Sequence, residues 1–195
     1  GLRLDDPIFL IIFLSRTLLK GNFRAEEQNK IWMSDITYLW TSEGWLYLAV
    51  IMDNFSRKII GYSLGSRLTA ELVNRALTMA VTHRDSSAGL IFHSDRRSQY
   101  TSESFRKLLK AYRMVQSMSS SGNCYDNAIT ESFFHTLKTE LVNFEKYETR
   151  EQAKQNLFQY IEIFYNRQRL HSALGYLSPV GFEEIKNVEL NERVA

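Results

Sequence analysis

The chain has 195 residues, 44% of them hydrophobic, enough to bury one core with terminal extensions and too few for two full domains. Its single cysteine, Cys124, excludes an internal disulfide and a cysteine-rich zinc module, as expected of a reducing, cytoplasmic setting. A formal net charge of +2 does not announce nucleic acid, yet between 96 and 113 six basic residues (Arg96, Arg97, Arg106, Lys107, Lys110, Arg113) face the one acid Glu103; from charge alone, a solvated helix face is the stronger reading.

Residues 1–28 read unlike the rest. Asp5-Asp6-Pro7 precedes the apolar run Ile8–Leu14, which is too short to span a bilayer and wrongly flanked for a secretory signal. This segment is set apart as truncated or degenerate, with no recognisable helix-turn-helix pattern. From Lys30 onward the pattern predicts strands over Ile31–Trp40, Trp45–Met52 and Arg57–Leu64, joined by turns at 41–44 and 53–56. There follow a helix over Thr69–His83, a strand over Leu90–His93, a helix over Ser102–Tyr112 and a strand over Met114–Met118. The first three strands are antiparallel neighbours. The last two, separated by helices, are parallel. A further helix covers Thr149–Arg167, with Ala153, Leu157, Ile161 and Phe164 as its buried stripe. The core is expected over 29–184, with a tail from 185 to 195.

Chemistry concentrates between Asp95 and Glu131. Asp95 ends the apolar run Gly89–Ser94, which suits a buried strand opening into a cleft. Glu131 lies on a helix whose buried stripe is Ile129, Phe133, Leu137 and Leu141; Asn127, Glu131, His135 and Lys138 share the opposite face. If Asp35, inside the first strand, lies on a neighbouring strand, three carboxylates converge. Such a set suits Mg²⁺, which takes oxygen ligands and leaves room for substrate phosphate. Asp53 is read as an Asx-turn or surface ion pair near Arg57, Asp126 as a helix cap, and His93 as packed or hydrogen-bonded. The Ser/Gly loop 119–125 is expected as a flap or a plain connector.

Three blocks carry a resemblance: Trp32-Met-Ser-Asp-Ile-Thr37; Phe92-His-Ser-Asp95 with Ser98-Gln-Tyr-Thr-Ser102; and Asn123-Cys-Tyr-Asp-Asn-Ala128 with Glu131-Ser-Phe-Phe. With the stretch from Phe164 to Pro179, they resemble the catalytic core of bacterial insertion-sequence transposases, of the DDE superfamily that includes retroviral integrases. The resemblance implies an α/β, ribonuclease-H-like mixed five-stranded sheet flanked by helices. It implies a DNA transposase in which Asp35, Asp95 and Glu131 hold two Mg²⁺ (or Mn²⁺) ions, hydrolysing phosphodiesters at element ends and transferring strands. Its DNA contacts would be Ser98, Gln99, Asn127, His135, Lys138, Arg167, Arg169 and His171. For the last three, finishing a helix electrostatically is the competing reading. Expected partners are DNA, further copies of the chain as a homo-multimer, and an upstream-encoded DNA-binding protein, with no membrane. A remnant that binds DNA or a full-length partner without cutting is the alternative.

Two departures from the family pattern bear on activity: Ser120-Ser121 replace a basic pair, and Arg97 stands where Gly is usual. A glycine needed there for left-handed backbone would make Arg97 strained by about 1 kcal/mol. A guanidinium there also competes with metal for Asp95.

Overall fold

The computed structural model describes residues 25–84, 88–119 and 128–194. One sheet of five strands runs in the order β3-β2-β1-β4-β5, with β1 (Ile31–Thr41), β2 (Gly44–Asp53), β3 (Ile59–Gly65), β4 (Ile91–Ser94) and β5 (Val115–Met118). The first three are antiparallel, while β4 joins β1 and β5 joins β4 in parallel. This is the expected ribonuclease-H-like arrangement. Helices α1 (Ala70–His83), α2 (Ser98–Thr101), α3 (Glu103–Ala111), α4 (Ala128–Glu140), α5 (Arg150–Phe158) and α6 (Pro179–Val194) flank it. No helix among the described residues is long and apolar enough to cross a membrane.

The sheet is buried on both faces because its central strands carry apolar residues at odd and even positions alike. Trp32 and Ile36 of β1, with Ala49 and Ile51 of β2, face Leu72, Ala76 and Leu77 of α1 and Phe105 of α3. Leu39 of β1 and Leu46, Leu48, Val50 and Met52 of β2 face Phe133, Phe134 and Leu137 of α4 and Leu157 of α5. Contact between α1 and β3 is close enough to require a glycine. A Cβ on Gly61 would collide with the Ala76 carbonyl and with Ala80.

Two local features differ from expectation. The short helix α2 precedes α3, and Ser102 separates them: its hydroxyl accepts from the Phe105 N–H at 3.3 Å and caps α3. The long helix predicted over 149–167 is α only to Phe158 and widens to a π-helix over Gln159–Tyr165. Ala153, Leu157 and Ile161 are buried as expected, but Phe164 is 39% exposed and Tyr165 takes the inward position at 2%. The wider turn moves the apolar stripe on by one residue.

Residues 185–194, expected as a tail, continue α6. The helix is fastened by Glu183, whose carboxylate accepts from Arg84 at 2.6 and 2.8 Å, from Lys58 at 3.2 Å and from the Ser56 hydroxyl at 2.7 Å. Beside it Phe182 packs with Ile31, Met33, Phe55 and Leu174. Asp53 makes the expected Asx-turn, accepting from the Phe55 N–H at 2.9 Å, but it is buried and also takes the Asn29 N–H at 2.7 Å. Its place is therefore inside the fold, not in a surface ion pair.

Candidate active site

Strand register brings the first two acids together. β1 and β4 run parallel as far as the pair Ser34–Ser94, so Asp35, which stays within β1 opposite Val50 of β2, and Asp95, which follows the end of β4, sit at the same level. That is the carboxyl end of β4, where open α/β sheets place their ligands. Asp35 is 7% exposed and its Oδ1 accepts from the Ile36 N–H at 2.7 Å. Asp95 is half-buried, and its Oδ1 accepts from the Arg97 N–H at 3.0 Å. A buried hydrogen-bonded floor lies below. The Ser34 hydroxyl donates to the Val50 carbonyl at 2.8 Å, leaving the Tyr100 hydroxyl to donate to Ser34 Oγ at 2.8 Å.

Glu131 comes from the first turn of α4, on the exposed face opposite Phe133 and Leu137. Its charge and that of Asp95 both reach Asp35. The Asp35 carboxyl is pushed up to about 6, chiefly by burial and further by Asp95 and Glu131, against the Ile36 N–H and the Arg97 charge. Three carboxylates from β1, the β4 terminus and α4 thus lie in one electrostatic field.

Arg97 lies between the two aspartates. Its Nε is 2.9 Å from Asp95 Oδ2 and its Nη1 is 3.6 Å from Asp35 Oδ1, while Nη1 also donates to the Ile36 carbonyl at 2.8 Å. One planar guanidinium spans both carboxylates, which places them within about 9 Å of each other. The backbone of Arg97 has φ −59° and ψ 150°, so the expected left-handed strain is absent and glycine is not needed there for conformation.

The remaining sequence-named residues are distributed unevenly. His135 and Lys138 share the solvent face of α4 with Glu131, and Lys138 Nζ lies 5.7 Å from the centre of the Tyr38 ring. Ser98 is exposed at the start of α2, and the Gln99 amide donates to the Leu68 carbonyl at 3.3 Å. Arg167 is exposed. Arg169 is paired with Glu140 at 2.8 Å. His171 is 7% exposed and stands edge-on to Tyr165, its imidazole pushed down to about 4 by burial and then by the charges of Arg169 and Arg57. Asn127 and Asp126, and all of the 119–125 loop but Ser119, lie outside the described residues. His93 is buried, its ring nitrogens each 3.1 Å from a hydroxyl, of Ser117 and Ser119.

Sequence reasoning passed over an exposed aromatic ladder where Tyr38, Trp40 and Trp45 stack edge to face at 5.0 and 4.8 Å between ring centres. Its signal was available: Tyr38 and Trp40 alternate along β1, and Trp45 is the cross-strand partner of Trp40.

Among the described residues no three His, Cys, Asp or Glu side chains are assembled into a ready metal cluster. The donor set nevertheless suits a hard divalent cation, being all carboxylate oxygen. Asp35, Asp95 and Glu131 would supply it.

Residues 25–124 match the family described as integrase core domain, and residues 131–186 match a second family of the same description. The transposase of insertion sequence IS904 from Lactococcus lactis subsp. lactis (strain IL1403) is 48% identical over 172 residues, covering 88% of this chain and 68% of that protein. Transposase InsF of insertion sequence IS3A from Escherichia coli (strain K12) is 48% identical over 170 residues, covering 87% of this chain and 59% of that one. The 31 kDa protein of insertion element IS600 from Shigella sonnei is 47% identical, and 61% of its length is covered. In fold, the catalytic core of HTLV-2 integrase, solved with magnesium, superposes with a TM-score of 0.61 at 16% identity over 82% of this chain and 99% of that one. The core of BIV integrase gives 0.58 at 18% identity over 86% and 99%. At such identities the likeness is one of fold. With two family matches along most of the chain and relatives near half identity, the chain belongs to the integrase core domain family, together with the transposases of bacterial insertion sequences.

Proposed function

We propose that the chain is the catalytic core of a DNA transposase, hydrolysing phosphodiesters at the ends of its element and joining the freed 3′-hydroxyl to a second strand. The observation that carries this reading is the β1–β4 register, which sets Asp35 and Asp95 side by side where Glu131 can act on the same field. Mg²⁺ or Mn²⁺, bound as a pair by these three carboxylates, would lower the pKa of attacking water and offset charge on the leaving oxygen.

The chain's own part is rigid placement. Asp35 is held inside the sheet, Asp95 is oriented by the Arg97 N–H, and the Tyr100–Ser34 floor ties α2 to β1 beneath them. Such preorganisation accelerates a reaction between aligned groups without a covalent enzyme intermediate. His135 and Lys138 would meet phosphate on the α4 side, and Ser98, Gln99 and Asn127 at the rim. Arg167 would extend the contact from the tail segment that Arg169 and His171 hold in place. Joining two ends requires at least two copies, and the HTLV-2 core of the same fold occurs in dimeric and trimeric forms.

The test is strand transfer on DNA carrying the ends of the element that encodes the chain, with Mn²⁺ supplied. Asp35→Asn, Asp95→Asn and Glu131→Gln each are expected to lower product at least a hundredfold with circular dichroism unchanged. Any one of them retaining full activity removes that residue from the assignment.

A further inference from the structure

We propose that Arg97 is a resident counter-cation of this centre, and that a divalent ion enters by exchange with its guanidinium. The inference rests on the metal-binding reading of Asp35 and Asp95 above, and goes beyond it by assigning a residue that sets how tightly the ion is held. The guanidinium is seated by three directed contacts: Nε at 2.9 Å from Asp95 Oδ2, Nη1 at 3.6 Å from Asp35 Oδ1, and Nη1 donating to the Ile36 carbonyl at 2.8 Å. It therefore neutralises the same two carboxylates that a metal ion would draw together. Arginine suits this role because its fork is planar and permanently charged, so it remains a competitor at every working pH.

The exchange is feasible because the guanidinium belongs to the exposed partner and the carboxylate of Asp35 to the buried one. The Arg97 side chain is 45% exposed, whereas that of Asp35 is 10% exposed. The cation can swing into solvent, while the acid cannot follow. The backbone at φ −59° lets any residue occupy the position, so a substitution tests the side chain alone. Salt bridges this exposed are worth little singly, but the charge-assisted bond to Asp95 adds to them. Their loss should raise affinity for a divalent ion roughly tenfold.

The experiment titrates the metal-free chain with Mn²⁺, reading free ion by electron paramagnetic resonance, for wild type, Arg97→Ala, Arg97→Lys and Asp95→Asn. The expected order of affinity is Arg97→Ala above Arg97→Lys above wild type, with Asp95→Asn weakest. Lysine keeps the charge and loses the fork. A second readout is thermal unfolding: Arg97→Ala should melt below wild type in chelator, where the two carboxylates lose their counter-charge, and at or above wild type in saturating Mn²⁺. If Arg97→Ala binds Mn²⁺ no more tightly while Asp95→Asn still abolishes binding, the exchange is overturned and the metal site stands. If neither wild type nor Arg97→Ala binds Mn²⁺, both fall.

Discussion

Asp35 carries an energetic cost that its position explains. Its carboxyl sits near 6, against an ordinary value of 3.8, so the folded state prefers the protonated form. For a raised acid the sign is fixed: stability is greatest below 3.8 and falls as pH climbs through 6, then levels off. The size is about 3 kcal/mol for a side chain so buried. Asp35→Asn is therefore expected to unfold at higher temperature than wild type at pH 7 to 8 in chelator, with the gap closing as pH drops to 4. An unchanged gap across that range would show that the carboxyl is not held in this unfavourable state. Asn166 shows the opposite use of a buried polar group. Its amide accepts the Ile59 N–H and donates to the Ile59 carbonyl, both at 2.9 Å, in effect serving as a strand partner at the start of β3. Asn166→Ala leaves two buried backbone groups unmatched and should cost about 2–4 kcal/mol, read as a lower urea midpoint at unchanged slope. The residue stands inside Phe164-Tyr-Asn-Arg, a run that invites a reading as DNA contact. Nothing local in it announces a backbone partner 107 positions away.

Secondary structure was legible wherever a buried face imposed its period. The three antiparallel strands announced themselves by β-branched and aromatic runs between turn residues, and α4 by Phe133 and Leu137 at fourfold spacing. Misses arose where a hydrogen-bond pattern changed without a change in composition. The π-helix over Gln159–Tyr165 is one such case, since Ile161, Phe164 and Tyr165 are all apolar enough to be inside and only the wider turn chooses between them. The short α2 is another. Four polar-looking residues give no period to read, and the helix exists because Tyr100 is drawn under β1 by Ser34 and packed among Phe92 and Phe105.

Long-range closure of the fold rests on α6. Glu183 reaches back to Arg84 beyond α1 and to Ser56 and Lys58 before β3, with side chains only 8% and 12% exposed for Glu183 and Arg84. Removing one member of a buried pair strands the other, so Glu183→Ala should destabilise the chain by about 3–5 kcal/mol. Loss of less than about 1 kcal/mol in a thermal or urea melt would mean that α6 is held by Phe182 packing alone. The three acids stood out as candidates in the sequence because Asp95 follows an apolar strand, Glu131 opposes an apolar stripe, and the blocks around all three resemble one family. Composition and period are local properties, and they sufficed to name the five strands and the helices with a clear buried face, while the resemblance of three blocks to one family completed the set of candidate carboxylates. That Asp35 and Asp95 lie at one level depends on which residues of β1 and β4 pair, and the seat of the Arg97 guanidinium depends on that pairing in turn. Register and side-chain direction arise from contacts between segments some sixty residues apart, and no stretch of chain encodes them alone.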